Sequence, residues 1–572
     1  MNSMFFKTKK REFNRLTMYE KVDAIPFSSY PRPQLKRDSF ICLNGRWNDG
    51  VLVPFPLESE LSGFKGDDTT RYTYRRKFEI PEDFIRDRIF LHFGAVDCRA
   101  KVYVDGEELG THFGGYLPFG FDITKFGAGT HELKVKVKDE TSTDYPYGKQ
   151  TKKPGGMWYT PVSGIWGSVW LESVPENYIK SLKLTPSLTD VKVEIQGGTG
   201  KYEVKVYDAE NPADGNLVLE KTYDSPEFVI DIENPKVWSP EKPNLYSVMI
   251  KSGADMVSSY FGLRVIDIRE VGGYKRICLN GRPYFFNGVL DQGYYPQGIF
   301  LPNNEAGYEG DILKMKELGF NTLRKHIKVE PECFYEACDR LGMVVFQDMV
   351  NNAPYSFIKD TAIPTVFKGR VSDKNRHKKS ETRKIFKEHS KAIVAHLYNH
   401  PCILYYTIFN EGWGQFDADY MYDKFCSWDH TRIVDSTSGW FKQNKSDVES
   451  IHCYFKPIKP IKSDKPIVVS EMGGYSMRID GHYYNKNDNY GYKTFTDEDV
   501  LSDAIIKLYE DEVLPYISKG LCGNIYTQVS DVEDETNGFY TYDRKVCKVN
   551  KDHMREVNMR IFEIMGGLQN GH

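Results

Sequence analysis

The sequence predicts a protein of three domains, in which two β-sandwiches precede a (β/α)8 barrel. At 572 residues the chain is too long to fold around one hydrophobic core. Up to about residue 267 it contains short segments of alternating apolar and polar residues, separated by turn residues. From about residue 268 onward, predicted strands and helices alternate, which is the pattern of a parallel barrel. We therefore predict domains over residues 1–178, 179–267 and 268–572.

The first region has the pattern of a jelly-roll sandwich. Leu133, Val135 and Val137 share one face of a predicted strand, and lysines occupy the other face, as expected of a strand that is buried on one side. Asp105-Gly106 lies between two further strand segments, where this dipeptide favours the positive φ angles of a tight hairpin turn. Many short strands joined by turns are typical of a sandwich or jelly roll.

The second region keeps the β pattern but has clusters of proline and asparagine at its turns. Tyr202, Val204 and Val206 alternate with polar residues, which indicates a half-buried strand. A region of roughly 90 residues with this pattern of short strands and turns is typical of an immunoglobulin-like β-sandwich. We expect this domain to orient its neighbours and to carry no chemistry.

The third region contains eight predicted strands with helices between them. The predicted helix 331–341 begins with proline and is followed by Gly342, and both residues are favoured at those helix ends. The fourth strand is a continuous apolar run, which indicates a strand buried on both faces. The eight strands are predicted at 284–288, 321–324, 343–348, 402–409, 432–435, 451–454, 467–469 and 522–528.

Two of these strands end in a glutamate. Glu411 follows the fourth strand, directly after Asn410, and Glu471 follows the seventh. Because the carboxyl ends of barrel strands share one face, the two carboxyl groups can act on one bond. Paired carboxylates of this kind are the chemistry of glycoside cleavage. A lone strand-end glutamate is more often a cap or a salt-bridge partner, so the pair carries this interpretation.

Composition and motifs exclude several other classes of protein. The net charge is −4 and the basic residues are dispersed, so nothing favours nucleic acid as a partner. The ten cysteines lack a CxxC pair or metal-ligand spacing, so neither a disulfide framework nor a structural zinc is predicted. Nucleotide-binding glycine motifs and the Gly-x-Ser-x-Gly motif of serine hydrolases are absent.

The chain has no segment of transmembrane length and no apolar stretch at its amino terminus that is long enough for a signal peptide. We therefore expect a soluble, cytoplasmic protein without a membrane partner. The sequence leaves the oligomeric state open, and a homo-oligomer is compatible with it.

Short motifs along nearly the whole chain resemble glycoside hydrolase family 2, which includes β-galactosidases, β-glucuronidases and β-mannosidases. The amino-terminal region has Leu43-Asn-Gly-Arg-Trp, Val53-Pro-Phe-Pro-Leu-Glu-Ser and Thr160-Pro-Val-Ser-Gly-Ile-Trp. The barrel region has Phe286-Asn-Gly-Val, Gly319-Phe-Asn-Thr-Leu-Arg, Asn399-His-Pro-Cys-Ile, Phe409-Asn-Glu and Ser470-Glu. Each motif is short, and their order and spacing carry the resemblance.

The resemblance implies roles for three residues. Glu411 would be the general acid/base, Glu471 the nucleophile, and Asn410 the ligand of the sugar 2-hydroxyl. In such a retaining double displacement the two carboxyl groups lie about 5 Å apart, so that the nucleophile reaches the anomeric carbon directly.

Further residues at the ends of predicted strands are candidate ligands of the substrate, and each has a structural role as its alternative. Tyr454 could donate a hydrogen bond to Glu471 or pack as a buried aromatic residue. Trp413 and Trp440 could form apolar walls against a sugar. The polar candidates at the same rim are Asp291, Gln292, Arg324, His326, Asp348 and His452.

Departures from the family's motifs favour a neutral sugar. Glucuronidases carry an Asn-x-Lys pair near the eighth strand, but here that region reads Asp531-Val-Glu-Asp-Glu-Thr-Asn-Gly, which is acidic. A uronate would meet like charge there unless Lys325 or Lys328 compensates. The Glu-x-His magnesium ligands of the large β-galactosidases are also missing after Asp348.

We therefore expect a retaining exo-glycosidase that acts on a terminal β-linked sugar, with no cofactor, no required metal and a carbohydrate or glycoside as its partner. A neutral sugar, and first a β-galactoside, is the expected substrate. β-Glucuronidase or another family 2 specificity is the alternative. A non-catalytic carbohydrate-binding protein on the same scaffold is a third reading, which loss of either carboxylate would have favoured.

Overall fold

The computed structural model describes residues 22, 24–363, 372–374, 376–454, 457–458 and 462–570. These residues form two antiparallel β-sandwiches and a parallel barrel of eight strands, so the predicted fold class is confirmed. Buried apolar side chains form three clusters, one in each sandwich and the largest in and around the barrel.

The amino-terminal sandwich consists of two four-stranded antiparallel sheets. The predicted hairpin is present, and Asp105 and Gly106 have φ angles of 49° and 84° at its turn. In sheet order, the strands are Phe40–Cys42, Val169–Val174, Arg88–Phe93 and Phe119–Asp122 in one sheet, and Arg71–Ile80, Gly129–Lys138, Arg99–Val104 and Glu107–Phe113 in the other.

The second sandwich packs a three-stranded sheet against a four-stranded sheet, as in immunoglobulin-like domains of seven strands. Tyr202, Val204 and Val206 all point into its core. In sheet order, the strands are Ile179–Pro186, Asp190–Gly197 and Glu227–Asp231, and Leu217–Tyr223, Tyr202–Tyr207, Tyr246–Ser252 and Asp255–Phe261.

The barrel strands are joined in the order fifth, fourth, third, second, first, eighth, seventh and sixth. The fifth and sixth strands lie side by side without ladder hydrogen bonds in the described part of the chain. In chain order, the eight strands are Phe286–Asp291, Thr322–Lys325, Val344–Asp348, Ile403–Asn410, Ile433–Ser438, Glu449–Cys453, Ile467–Gly473 and Leu521–Thr527.

Two details of the predicted strands were wrong. The first barrel strand begins at Phe286 and not at residue 284, because Arg282–Pro283 belongs to a separate small sheet. Glu471 lies inside the seventh strand and not after it, since pairing with the eighth strand continues to Gly473. The hydrogen-bonding register of the seventh strand shifts near Glu471 against both the sixth and the eighth strand. Such irregularities change the direction of side chains next to active sites.

The helices surround the barrel. Gly342 ends the second helix in the left-handed conformation with φ of 71°, as its position predicts. The α-helices are Ala306–Glu317, Glu332–Leu341, Ser380–Leu397, Ala418–Trp428, Glu498–Glu512, Leu514–Ile517 and Lys551–Asn570, and a π-helix covers Phe357–Ala362. Within the described part of the chain, no helix combines the length and the apolar character needed to cross a membrane.

Shorter elements complete the chain. A small sheet of Ile266–Val271, Tyr274–Leu279 and Arg282–Pro283 links the second sandwich to the barrel. The remaining two-residue strands are Gly45–Arg46, Leu52–Val53, Val96–Asp97, Gly164–Ile165, Trp238–Ser239, Lys242–Pro243, Tyr475–Ser476 and Lys493–Thr494. The 3₁₀ turns are Pro33–Leu35, Asn48–Gly50, Glu82–Phe84, Thr124–Phe126 and Pro212–Asp214.

Candidate active site

Glu411 occupies a strained position at the carboxyl end of the fourth barrel strand. Its φ angle is 53°, a left-handed conformation that is uncommon for a residue with a side chain and costs of order 1 kcal/mol. The backbone N–H of Glu411 donates to the carbonyl oxygen of Ser438 on the fifth strand at 2.9 Å. The adjacent strand therefore holds a backbone conformation that turns this side chain into the barrel mouth.

The two glutamates predicted from the sequence lie together. A carboxylate oxygen of Glu411, one of Glu471 and a ring nitrogen of His452 all lie within 4.8 Å of one another. Nδ1 of His452 is 2.8 Å from Oε1 of Glu411 and 3.5 Å from Oε2 of Glu471. The imidazole thus contacts both carboxyl groups from one side.

Glu471 is held in its charged form. Burial opposes ionisation, but the electrostatic effects of His452 and of the Arg324 guanidinium outweigh it and lower the pKa of Glu471 from its ordinary value of 4.5 to about 2. Tyr454 donates a hydrogen bond to Oε2 at 2.5 Å, and Nη1 of Arg324 donates to Oε1 at 3.1 Å. Both oxygens are therefore stabilised as a carboxylate.

Arg324 links four barrel strands from within the core. Its Nε lies 3.0 Å from Oδ1 of Asp348, and its Nη2 donates to Oδ1 of Asn410 at 2.9 Å. Nη1 contacts Glu471 and also the carbonyl oxygen of Ser470. With 1% of its surface exposed, this guanidinium orients the nucleophile candidate and its neighbour Asn410.

Asp348 is shared between Arg324 and His326. Nδ1 of His326 lies 2.7 Å from Oδ2 of Asp348, which fixes the orientation of the ring. Burial and the positive charge of Lys149 lower the pKa of His326, so the imidazole is neutral at neutral pH. The two side chains therefore form a preorganised group at the ends of the second and third strands.

Trp440 and Trp413 have different environments. Trp440 is half-buried, donates from Nε1 to the carbonyl oxygen of Glu411 at 3.1 Å and meets His452 edge-on. Trp413 is 3% exposed and donates to the carbonyl oxygen of Ala353 at 2.9 Å. Trp158, from the first domain, packs on Trp413 with ring centroids 5.0 Å apart. Trp413 is thus buried beneath Trp158 and is not itself an exposed aromatic wall.

The candidates after the first strand lie beside an ion cluster. Oδ2 of Asp291 accepts from Nζ of Lys325 at 2.6 Å, and both Lys325 and Lys328 donate to Oε1 of Glu330 at 2.9 Å. Burial lowers the pKa of Lys328 to about 8 despite the Glu330 charge. Gln292 is buried, and its Oε1 has no partner in the described part of the chain. Both lysines are therefore engaged within the protein.

The acidic segment after the eighth strand is bound by partners that the sequence did not indicate. Asp531 pairs with Lys548 at 2.6 Å. Glu533 accepts the backbone N–H of Thr160 at 3.0 Å, and Glu535 accepts the hydroxyl of Tyr159. Two of these three contacts come from the first domain, so a loop of the jelly roll forms part of the barrel rim.

Donor groups that could hold a metal ion occur in two places within the described residues. One is Glu411, His452 and Glu471, where the charge of Arg324 beside Glu471 opposes a cation. The other is Asp97, Cys98 and Asp139 in the jelly roll, where burial raises the pKa of all three groups. Neither environment favours the deprotonated, uncompensated ligands that a metal requires.

Three family models match the chain in succession. The model of the glycosyl hydrolases family 2 sugar-binding domain matches residues 33–175, the model named glycosyl hydrolases family 2 matches residues 177–264, and the model of the family 2 TIM barrel domain matches residues 270–538. The chain belongs to glycosyl hydrolase family 2. The three matches follow the order of the three structural domains, and the described fold agrees with them.

Relatives within family 2 have different names. A β-galactosidase of Thermoanaerobacter pseudethanolicus is 28% identical over 358 residues, and a putative β-glucuronidase of Formosa agariphila is 26% identical over 339 residues. The aligned regions cover 59% and 56% of this chain but only 44% and 37% of those proteins. This family 2 chain therefore spans less than half the length of each of these two relatives.

Solved structures share the fold at low identity. A β-D-glucuronidase of Dictyoglomus thermophilum has a TM-score of 0.73 at 18% identity, with 93% of this chain and 98% of that chain covered. A β-galacturonidase of Eisenbergiella tayi has a TM-score of 0.66 at 21% identity, with 92% and 97% covered. At these identities the likeness concerns the fold alone.

Proposed function

We propose that this family 2 chain is a retaining exo-glycoside hydrolase that removes a terminal β-linked sugar. The observation that carries the proposal is the separation of Glu411 and Glu471, whose nearest carboxylate oxygens lie within 4.8 Å. Retaining enzymes need carboxyl groups about 5 Å apart, whereas inverting enzymes keep them about 6.5–9.5 Å apart to admit a water. The short separation supports a direct attack by one carboxylate.

In the first step of this mechanism, ionised Glu471 attacks the anomeric carbon while protonated Glu411 gives its proton to the leaving oxygen. The glycosidic bond breaks and a covalent glycosyl-enzyme forms on Glu471. In the second step Glu411, now a carboxylate, takes a proton from water, which attacks the anomeric carbon and releases Glu471. The lowered pKa of Glu471 keeps the nucleophile charged across the neutral range.

Neighbouring side chains keep this pair in position. Arg324 bonds to both Glu471 and Asn410, so the nucleophile and the proposed ligand of the sugar 2-hydroxyl share one rigid support. His452 contacts Glu411 at 2.8 Å, and its other ring nitrogen lies 3.0 Å from the hydroxyl oxygen of Ser438. Such preorganisation reduces the reorganisation needed in the transition state.

The terminal sugar is proposed to be neutral, with a β-galactoside as the first candidate. Lys325 and Lys328, the cations that could have bound a uronate, are buried and paired with acidic groups. Glu535 presents a further carboxylate at the rim. β-Glucuronidase specificity is the alternative, because several similar proteins are named β-glucuronidases.

The non-catalytic alternative is disfavoured by the state of the two carboxyl groups. A binding protein gains nothing from a carboxyl group whose pKa its neighbours lower to about 2, whereas a catalytic nucleophile must be ionised. The strained φ of Glu411 also has no role in sugar binding alone.

A screen of matched nitrophenyl α- and β-glycosides tests the proposal. The purified protein should hydrolyse β-linked substrates and no α-linked ones, with a higher kcat/KM for the best neutral hexoside or pentoside than for the glucuronide. Proton NMR of the first-formed product should show the β anomer, as retention requires. Hydrolysis with inversion, or no hydrolysis by a protein that nevertheless binds the sugars, would contradict the proposal.

A further inference from the structure

One lysine of the jelly-roll domain is fixed against the barrel mouth by its own loop. The backbone N–H groups of Tyr147 and Gly148 both donate to the carbonyl oxygen of Asn351, at 3.1 and 3.4 Å. A Cβ added at Gly148 would lie 2.8 Å from the carbonyl oxygen of Ile327, directly after His326. Lys149 is the next residue, so its backbone lies over the ends of the second and third barrel strands.

The side chain of Lys149 is unpaired within the described part of the chain. Its side chain is half-buried, yet among the described residues it makes no hydrogen bond and no ion pair. Its charge lowers the pKa of buried His326 and opposes the burial that raises the pKa of Glu535. The backbone carbonyl oxygen of Lys149 accepts the N–H of Tyr159 at 3.0 Å, and the hydroxyl of Tyr159 donates to Glu535. Lys149 is therefore held near the loop after the eighth strand, and a half-buried cation without a partner among the described residues favours a polar ligand.

Glu535 lies in the loop after the eighth strand. It is 4% exposed, and each of its oxygens accepts one hydrogen bond, from Tyr159 and from Asn537. A carboxylate oxygen has capacity for a second bond. The eighth strand, which this loop follows, pairs with the seventh strand, which carries Glu471.

Lys149 and Glu535 are both held by Tyr159 and form no ion pair with each other among the described residues. A cation and a carboxylate in this arrangement suit a hydroxyl group between them. A hydroxyl can accept from the ammonium and donate to the carboxylate at the same time. A carboxylate substituent would gain from Lys149 but would be repelled by Glu535 and Glu471. The combined charges of this end of the pocket therefore favour a neutral sugar.

We propose that Lys149 and Glu535 together bind one hydroxyl of the terminal sugar, other than the 2-hydroxyl, and so select neutral sugars over uronates. This inference rests on the proposed glycosidase function and adds to it a specificity determinant from the jelly-roll domain. A site built around a substrate hydroxyl rejects an analogue that lacks this hydroxyl. Removing the hydroxyl from the substrate and substituting Lys149 should therefore remove the same hydrogen bond.

The test measures kcat/KM for wild type and Lys149→Met on the best neutral nitrophenyl β-glycoside and on its 3-, 4- and 6-deoxy analogues. Loss of a charged hydrogen bond should lower kcat/KM for the parent sugar by about 30- to 100-fold. On one deoxy analogue, which already lacks the bonded hydroxyl, wild type and variant should agree within about twofold. Lys153→Met, an exposed lysine of the same loop, should behave as wild type throughout.

Glu535→Gln provides an independent test of the proposed selection against uronates. Removing its charge should raise the ratio of kcat/KM for the uronate to that for the neutral sugar by at least about tenfold. Thermal midpoints confirm that each variant is folded. Equal loss on every analogue, no loss in Lys149→Met, or a wild-type preference for uronates that Lys149→Met abolishes would overturn the inference.

Failure of the proposed function itself is distinguishable. If wild type hydrolyses none of the glycosides, the glycosidase proposal fails. Binding of methyl β-glycosides and their deoxy analogues, followed by NMR titration, then tests Lys149 directly. Wild type should bind the parent more tightly than Lys149→Met does, and binding that is unchanged by the substitution would contradict the role of Lys149.

Discussion

The hydroxyl of Tyr454 donates a hydrogen bond of 2.5 Å to Oε2 of Glu471, and it lies 2.9 Å from Oγ1 of Thr527. The phenol ring also stacks on Tyr492, with centroids 3.9 Å apart. The sequence placed Tyr454 at the rim but allowed a purely packed role as well. In the structure the ring is packed and its hydroxyl stabilises the charged form of Glu471.

Tyr454→Phe should lower kcat by about 10- to 100-fold, because it removes one hydrogen bond to a charged group. Loss of that bond should raise the pKa of Glu471, so the acid limb of the kcat/KM profile should move to higher pH. The profile from about pH 2 upward is the measurement, and Tyr475→Phe is the control. An unchanged acid limb would show that Tyr454 does not act on Glu471.

Glu411→Ala separates the two roles proposed for that residue. Dinitrophenol is a good leaving group without a proton, so glycosylation from dinitrophenyl glycosides should be nearly unaffected. Alkyl and sugar leaving groups need a proton, and their release should be slowed greatly. Pre-steady-state bursts of dinitrophenol should become visible, because no base remains to activate water in the second step.

Added azide should restore turnover of Glu411→Ala, because this anion attacks the glycosyl-enzyme without a general base. The product should be a glycosyl azide of retained configuration. The matching change at Glu471 should give the inverted azide, because azide then takes the place of the nucleophile. If Glu411→Ala slows all leaving groups equally and azide has no effect, the acid/base is another carboxylate, with Asp348 as the next candidate.

Glu471 should also contribute to stability in a pH-dependent way. Its pKa is lowered in the folded state from 4.5 to about 2, so its stabilisation is fully present above pH 4.5 and is lost as the pH falls toward 2. Each pH unit in that window removes about 1.4 kcal/mol. Glu471→Gln lacks this contribution at every pH.

The thermal midpoint of wild type should therefore exceed that of Glu471→Gln by more at pH 6 than at pH 3.5. Glu270→Gln changes an exposed glutamate, and its difference in thermal midpoint from wild type should be the same at both pH values. A gap between wild type and Glu471→Gln that is equal at both pH values would contradict the lowered pKa.

The barrel and its glutamates could be predicted because their signals are local. A continuous apolar run followed by Asn410 and Glu411 marks a buried strand and its end without any knowledge of the rest of the chain. The same reasoning located Tyr454 and His452. It missed the position of Glu471 inside its strand, because a ladder irregularity depends on pairing with a neighbouring strand.

The contribution of the first domain could not be predicted. Tyr159 lies far in sequence from Glu535, and the hydrogen bond between them depends on how two domains pack. No periodicity or short spacing reports such a contact. The motif at Thr160 marked the right segment, but only the structure links it to the rim, where the backbone of Thr160 binds Glu533.

The central claim is that Glu471 is the nucleophile that forms the glycosyl-enzyme, and covalent trapping tests it most directly. An activated 2-deoxy-2-fluoro analogue of the preferred β-glycoside should inactivate the protein with a stoichiometry of one. Peptide mapping by mass spectrometry should place the added sugar on Glu471, and Glu471→Gln should remain unlabelled. Labelling of Glu411, Asp348 or any other carboxylate in the folded wild type would contradict the account.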